Sequence, residues 1–160
     1  MAERSKIRRL EPEDTDWQAV LELILSSFAY MTGIIDPPSS AHRLTVGALR
    51  EKAGREQGYA IFHGAVPVAC MFCDPRPGCL YVGKLAIARD WQGRGLGRKL
   101  MAHAEQVARS LGQDTLELQT RVELTGNHLF FQGLGYHKTG ETAHAGYSRA
   151  TSITLRKQLK

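Results

Sequence analysis

Apolar residues recur along this chain at two different periods, and the switches between them mark out its elements. Trp17, Val20, Leu21, Ile24 and Phe28 fall at helical spacing behind Asp14, Thr15 and Asp16, any of which can cap a helix starting there. Leu96, Leu100, Ala104, Val107 and Leu111 form a second one-sided stripe over residues 95–111, with Arg98, Lys99, Glu105 and Arg109 elsewhere and Gly112 as its stop. Shorter runs read as strands: 58–63 and 67–73, joined at Gly64-Ala65, then 79–88 after a turn at Asp74-Pro75-Arg76-Pro77-Gly78. Residues 115–121 alternate, with Leu116 and Leu118 facing one way and Glu117, Gln119 and Arg121 the other. Residues 7–10 read as a first strand, and 41–56 are helix-compatible after a loop at 32–40. A short helix after Thr125 carries Leu129 and Phe130 and stops at Gly135; 136–142 and 152–159 close the chain as strands. Helices inserted before and after a central meander make the fold class α/β.

Composition narrows the picture in three places. A length of 160 residues with 42% hydrophobic and 23% charged content suits one domain spanning 1–160 with a real core. No run approaches the roughly 18 apolar residues of a membrane span, and Met1-Ala2-Glu3-Arg4-Ser5-Lys6 lacks the apolar stretch of a secretory leader. A cytoplasmic protein with no membrane partner is therefore expected. The three cysteines cannot all pair, and Cys70 and Cys73, three apart on a strand, face opposite sides of the sheet. They read as small buried hydrophobes, and no metal is expected. The net charge of +5 permits weak attraction to polyanions, but the basic residues are dispersed and no nucleic-acid module accompanies them, so no nucleic-acid partner is expected.

The candidate chemistry lies where strand 79–88 hands over to helix 95–111. Gln92-Gly93-Arg94-Gly95-Leu96-Gly97 places glycines at every second position just before a helix N-terminus. Such a turn lets the backbone approach a ligand closely and presents free N–H groups in a field that favours an anion. Arg94, Arg98 and Lys99 strengthen that field and favour a diphosphate. Lys84 and Arg89 add to the local charge, as ligand contacts or as solvated surface groups. A Rossmann fingerprint is excluded because Arg98 or Leu100 stands where its third glycine belongs, and no Gly-Lys-Ser/Thr follows to make a Walker A loop.

These residues resemble the acetyl-coenzyme A signature of the GCN5-related N-acetyltransferases (GNAT), Gln/Arg-x-x-Gly-x-Gly/Ala, with Gln92, Gly95 and Gly97 in its defining places. Leu85-Ala86-Ile87 is similar to the strand that holds the pantetheine arm. Residues 127–136 (NHLFFQGLGY) are similar to the closing helix and its Gly-aromatic turn, so the resemblance covers about half the chain. It implies a single-domain GNAT-like fold, a central twisted mixed β-sheet flanked by helices, with acetyl-CoA as acetyl donor between strands 79–88 and 115–121. It also implies coenzyme contacts from Leu85, Ala86, Ile87, Gln92, Gly93, Arg94, Gly95, Leu96, Gly97, Arg98, Asn127, Phe130 and Phe131. Asn127 fits either the pantetheine arm or plain helix capping. The family's acceptor elements fall at the 32–40 loop and the 41–56 stretch after it, which makes Tyr30, Asp36 and Ser39 substrate-contact candidates or turn formers. Family members often pair as homodimers.

The implied reaction is direct acetyl transfer to a primary amine, on a small molecule or a peptide. A main-chain N–H near residues 85–87 is the expected oxyanion donor. Glu117 is the expected base, against an exposed glutamate paired with Arg121; His128 and His144 are weaker alternatives. The family's usual tyrosine acid is replaced by Phe131, which leaves water, Tyr81 or Tyr147 to protonate the thiolate. No Cys-His arrangement supports a covalent intermediate. The missing tyrosine keeps a non-catalytic acyl-CoA sensor on the same fold as the runner-up.

Overall fold

A computed structural model describes residues 6–160, His42 by its backbone alone; residues 1–5, whose composition bore on a leader, lie outside it. Strands β1 (Ile7–Arg9), β2 (Gln57–His63), β3 (Val66–Arg76) and β4 (Cys79–Ile87) form an antiparallel meander. β4 then pairs in parallel with β5 (Thr115–Arg121), β5 pairs antiparallel with β7 (Ser152–Gln158), and β6 (His137–Thr142) lies beside β7. The result is an open, mixed seven-stranded sheet of order β1-β2-β3-β4-β5-β7-β6.

Helices cover both faces, and the central strands show why. Residues 67–73 of β3 are all buried, as a strand packed on two sides requires. Its Cys70 and Phe72 pack with residues of α1 (Trp17–Phe28) and α2 (Val46–Arg55), while Met71 and Cys73 pack with α3 (Leu96–Ser110) and with Phe131 of α4 (Thr125–Gly133). The two cysteines thus occupy opposite faces, and burial pushes both thiols up to about 12.

Several predicted boundaries move, each for a local reason. The cap of α1 is Asp16, whose Oδ1 accepts from the Ala19 N–H at 3.1 Å. The buried stripe of α1 is Trp17, Val20, Leu23, Ile24 and Ser27, while Leu21 and Phe28 are only half-buried. Trp17 is tolerated at 2% exposure because its indole N–H donates to Pro12 O at 2.9 Å. The helical stretch 41–56 divides into a 3-10 turn, Ser40–Arg43, and α2, which Thr45 starts by accepting from the Ala48 N–H at 3.1 Å. β3 runs on through Asp74, Pro75 and Arg76, which shortens the predicted turn to Pro77-Gly78. Arg76 holds that extension, bonding Asp74 Oδ2 at 2.9 Å and lying 3.9 Å over the Tyr81 ring.

Both helices on the site's side end in the same way. Gly112 and Gly135 take φ of +73° and +97°, and the next residues, Gln113 and Tyr136, donate back to Ala108 O at 2.8 Å and Phe131 O at 3.0 Å. These Schellman ends set where β5 and β6 begin. Among the described residues no helix is long and apolar enough to cross a membrane.

Candidate active site

The site starts from a failure of strand pairing. β4 and β5 pair only at Leu80 with Leu116 and Tyr81 with Glu117, although β5 stays paired to β7 from Thr115 to Arg121. On the β4 side the cause is a bulge: Gly83 pairs with Phe72 and Ala86 with Cys70, so Lys84 and Leu85 face the single residue Met71. Lys84 takes φ of +53°, a conformation that a side-chain-bearing residue adopts at a cost of about 1 kcal/mol or more. The bulge bends β4 from β5 and opens a cleft of about 650 Å³.

One end of this cleft is the glycine loop. A 3-10 turn, Arg89–Trp91, carries the chain out of β4, and the Gln92 side chain ties the loop back by donating to Ile87 O at 3.2 Å. Gly93 and Gly95 take φ of +77° and +81°, and Gly95 is the left-handed cap of α3. Gly97 serves a different need, since a Cβ there would stand 3.3 Å from Phe130 Cζ. Among the described residues, none of the N–H groups from 93 to 98 has a protein acceptor. Six donors at a helix N-terminus, with Arg98 beside them in the cleft wall, make a site for a diphosphate.

Of the residues singled out for coenzyme contact, the cleft gathers Leu85, Ile87, Gln92, Gly93, Gly95, Leu96, Gly97, Arg98, Asn127, Phe130 and Phe131. Two stand outside it. Ala86 alternates to the other face and is buried against α1 and α2, and Arg94 lies 4.6 Å over the ring of Trp91, which itself lines the cleft. Asn127 is no cap: it sits inside the first turn of α4 and donates to Thr120 Oγ1 at 3.5 Å, while the cap position is Leu124. Phe131 packs edge-on to Phe130 and Tyr136, as an apolar wall.

The acceptor candidates separate. Tyr30, 53% exposed, lines the cleft. Ser39 does not; its hydroxyl accepts from the Ala41 N–H at 3.1 Å and starts a 3-10 turn. Asp36 is the centre of a latch. Its carboxylate accepts from the Tyr147 hydroxyl at 2.6 Å and from Arg149 Nη2 at 3.0 Å, and its N–H donates to Glu123 Oε2 at 3.2 Å. Arg121, itself in the cleft wall, donates to Pro37 O at 2.7 Å and Pro38 O at 3.2 Å. The loop after α1 is thereby fastened to the end of β5 and to the β6–β7 connection.

Glu117 keeps the facing expected of its strand, but the expectation that it lies in the cleft is corrected. Glu117 stands on the last paired rung, outside the cleft lining, and Arg156 of β7 grips its Oε2 from Nε at 2.8 Å and Nη2 at 2.7 Å. Arg121, the partner considered for it, is engaged by the latch. His128 bonds Arg121 O at 2.9 Å and His144 bonds Thr151; neither lines the cleft. Tyr81 does: its ring leans over Gly83, 3.4 Å from where a Cβ would be, and burial raises its phenol pKa. Sequence reasoning missed Ser27, whose hydroxyl accepts from the Ile87 N–H at 3.2 Å. Its sole signal was a serine on the buried face of α1.

The PaiA N-acetyltransferase of Thermoplasma acidophilum, solved in complex with coenzyme A, superposes with a TM-score of 0.81 at 15% identity over 96% of this chain and 98% of that one. A GNAT family acetyltransferase of Elizabethkingia anophelis with acetyl-CoA bound gives 0.73 at 16% identity, covering 98% and 99%. The IAA acetyltransferase of Bacillus cereus gives 0.68 at 20% identity, covering 96% and 99%. At these identities the likeness is one of fold. No curated protein matches the chain. Residues 17–136, from the start of α1 through the closing aromatic turn, match the model of the Acetyltransferase (GNAT) family, and the chain belongs to that family.

Proposed function

We propose that the protein binds acetyl-CoA in the β4–β5 cleft and transfers its acetyl group directly to a primary amine. The observation that carries this reading is the continuity of the cleft, from unpaired N–H donors at residues 93–98 to the bulge at Lys84 and Leu85. The donors and Arg98 take the diphosphate, Asn127 reaches toward the pantetheine arm, and Phe130 and Phe131 wall off its far side.

At the bulge, Ala88 N–H turns to β3 and donates to Val68 O at 2.8 Å, while Ile87 N–H turns the other way and donates to Ser27. Alternation directs the Leu85 N–H to the same open edge as that of Ile87, so Leu85 is the oxyanion donor and Ser27 holds the strand edge in place. The neutral amine attacks the thioester carbon to give a tetrahedral oxyanion, the amine's proton leaves to water, and the C–S bond then breaks as the carbonyl re-forms. An alkylamine of pKa ~10 is neutral in roughly one molecule per thousand at pH 7, so the rate rises with pH. The Tyr81 hydroxyl, kept protonated by its raised pKa, donates to the departing thiolate and is reprotonated from solvent.

A thiol-release assay across a panel of amines tests this reading. The expected result is turnover that depends on both substrates and falls about a hundredfold in kcat in Tyr81→Phe, with acetyl-CoA affinity unchanged. Acetyl-CoA binding without release from any amine would overturn transfer and leave a sensor of acyl-CoA.

A further inference from the structure

A second cavity, of about 420 Å³, adjoins the cleft beneath the loop that follows α1. Phe28 and Met31 border both spaces, so the cavity lies beside the cleft with those two side chains between them. Its lining is uncharged: besides those two side chains it is mainly Leu25, Ile35, Pro38 and Ala41, with the hydroxyls of Thr32 and Ser39 its polar groups. The cavity is also held open. Ile35 and Pro38 flank Asp36, and the Asp36 latch, with the two Arg121 bonds to Pro37 and Pro38, fixes that wall at a distance from α1. A wall pinned from outside by these hydrogen bonds does not collapse onto the apolar side chains it faces, and the space is large enough for a ring or branched alkyl group.

Resting on the transfer reading above, we infer that the acceptor is an amine carrying a compact uncharged apolar group, and that this group occupies the cavity while the amine reaches past Phe28 and Met31 to the thioester. Burial of each added methylene favours binding, so selectivity for the acceptor rises with apolar size until the cavity is full. Polyamines and amines bearing a second charge place that charge against an uncharged wall and are poor acceptors.

The test uses the full chain with acetyl-CoA and primary amines of graded size, from methylamine and propylamine to isoamylamine, benzylamine and phenethylamine, with putrescine and spermidine as charged controls. The expected result is a kcat/KM that climbs about three- to fourfold per methylene equivalent and is lowest for the polyamines. Ala29→Trp, at an exposed position on the cavity rim, should flatten the climb while acetyl-CoA affinity, measured by calorimetry, stays as in the wild type. A parallel series of acetyl-, butyryl- and hexanoyl-CoA with one amine decides whether the cavity instead serves the donor.

Turnover that is indifferent to amine size, turnover greatest with polyamines, or a climb that follows acyl length would overturn this inference and leave acetyl transfer standing. No turnover with any amine, despite acetyl-CoA binding, would overturn the transfer reading and this inference with it.

Discussion

The two ends of the cleft are built by opposite strategies. At the coenzyme end, one continuous segment from Cys79 to Ser110 supplies strand, bulge, glycine loop and helix, with the loop tied back by Gln92 to Ile87 O, and α4 adds the wall of Asn127, Phe130 and Phe131. At the end proposed for the acceptor, three distant segments meet: the loop around Asp36, the end of β5 at Arg121 and Glu123, and the β6–β7 connection at Tyr147 and Arg149. The first end is a local motif and the second a tertiary assembly. A family can keep the first while the second drifts, since the donor is common and the acceptor is not.

If that division is right, variants at the two ends should separate the two substrates. The largest effect is expected at Gly95, where φ of +81° makes any side chain costly. Gly95→Val should weaken acetyl-CoA binding by about thirtyfold, from roughly 2 kcal/mol of backbone strain, in a calorimetric titration, and leave the acceptor KM nearly unchanged at saturating donor. Asp36→Ala should do the reverse, with the acceptor KM rising about tenfold while calorimetry finds acetyl-CoA affinity unaltered, because Asp36 and its partners Glu123, Tyr147 and Arg149 stand outside the cleft lining. Both variants shifting both constants alike would merge the two ends into one unit and break the comparison.

This contrast also explains what could be read from the sequence. The glycine loop was legible because φ > 0 at Gly93 and Gly95 leaves glycines as its trace. Gly97 was found by the same spelling but answers to Phe130, a partner more than thirty residues away. Alternation along β3 placed Cys70 and Cys73 on opposite faces correctly, since the period of a strand is local. The fate of Glu117 was not legible: the facing of β5 was right, but the residue filling that face is Arg156, brought alongside because β7 inserts between β5 and β6. Strand order is a nonlocal property. The latch was hidden for the same reason, and Asp36 and Ser39, chosen as substrate contacts, spend their side chains on loop structure.

Smaller effects sharpen the account. Glu117→Gln should change kcat by no more than about twofold, because its carboxylate is bound by Arg156 and lies outside the cleft; a hundredfold loss in the thiol-release assay would restore it as the base. Stability should carry a pH signature from His103, whose Nε2 is buried without a partner among the described residues and whose ring packs edge-on against Tyr59 at 4.5 Å. Burial lowers its pKa below 6.5, so the folded state binds fewer protons than the unfolded one. Its stabilising contribution is complete above pH 6.5 and is lost as pH falls below that value. Thermal melts should show a drop between pH 7 and pH 5 that is reduced in His103→Phe.

A crystal structure of the full chain with acetyl-CoA is the most direct test of the central claim. The account predicts diphosphate oxygens within hydrogen-bonding distance of the N–H groups of residues 93–98, and the thioester in the gap between β4 and β5 beside Leu85. A diphosphate bound elsewhere, or a thioester outside that gap, would contradict it.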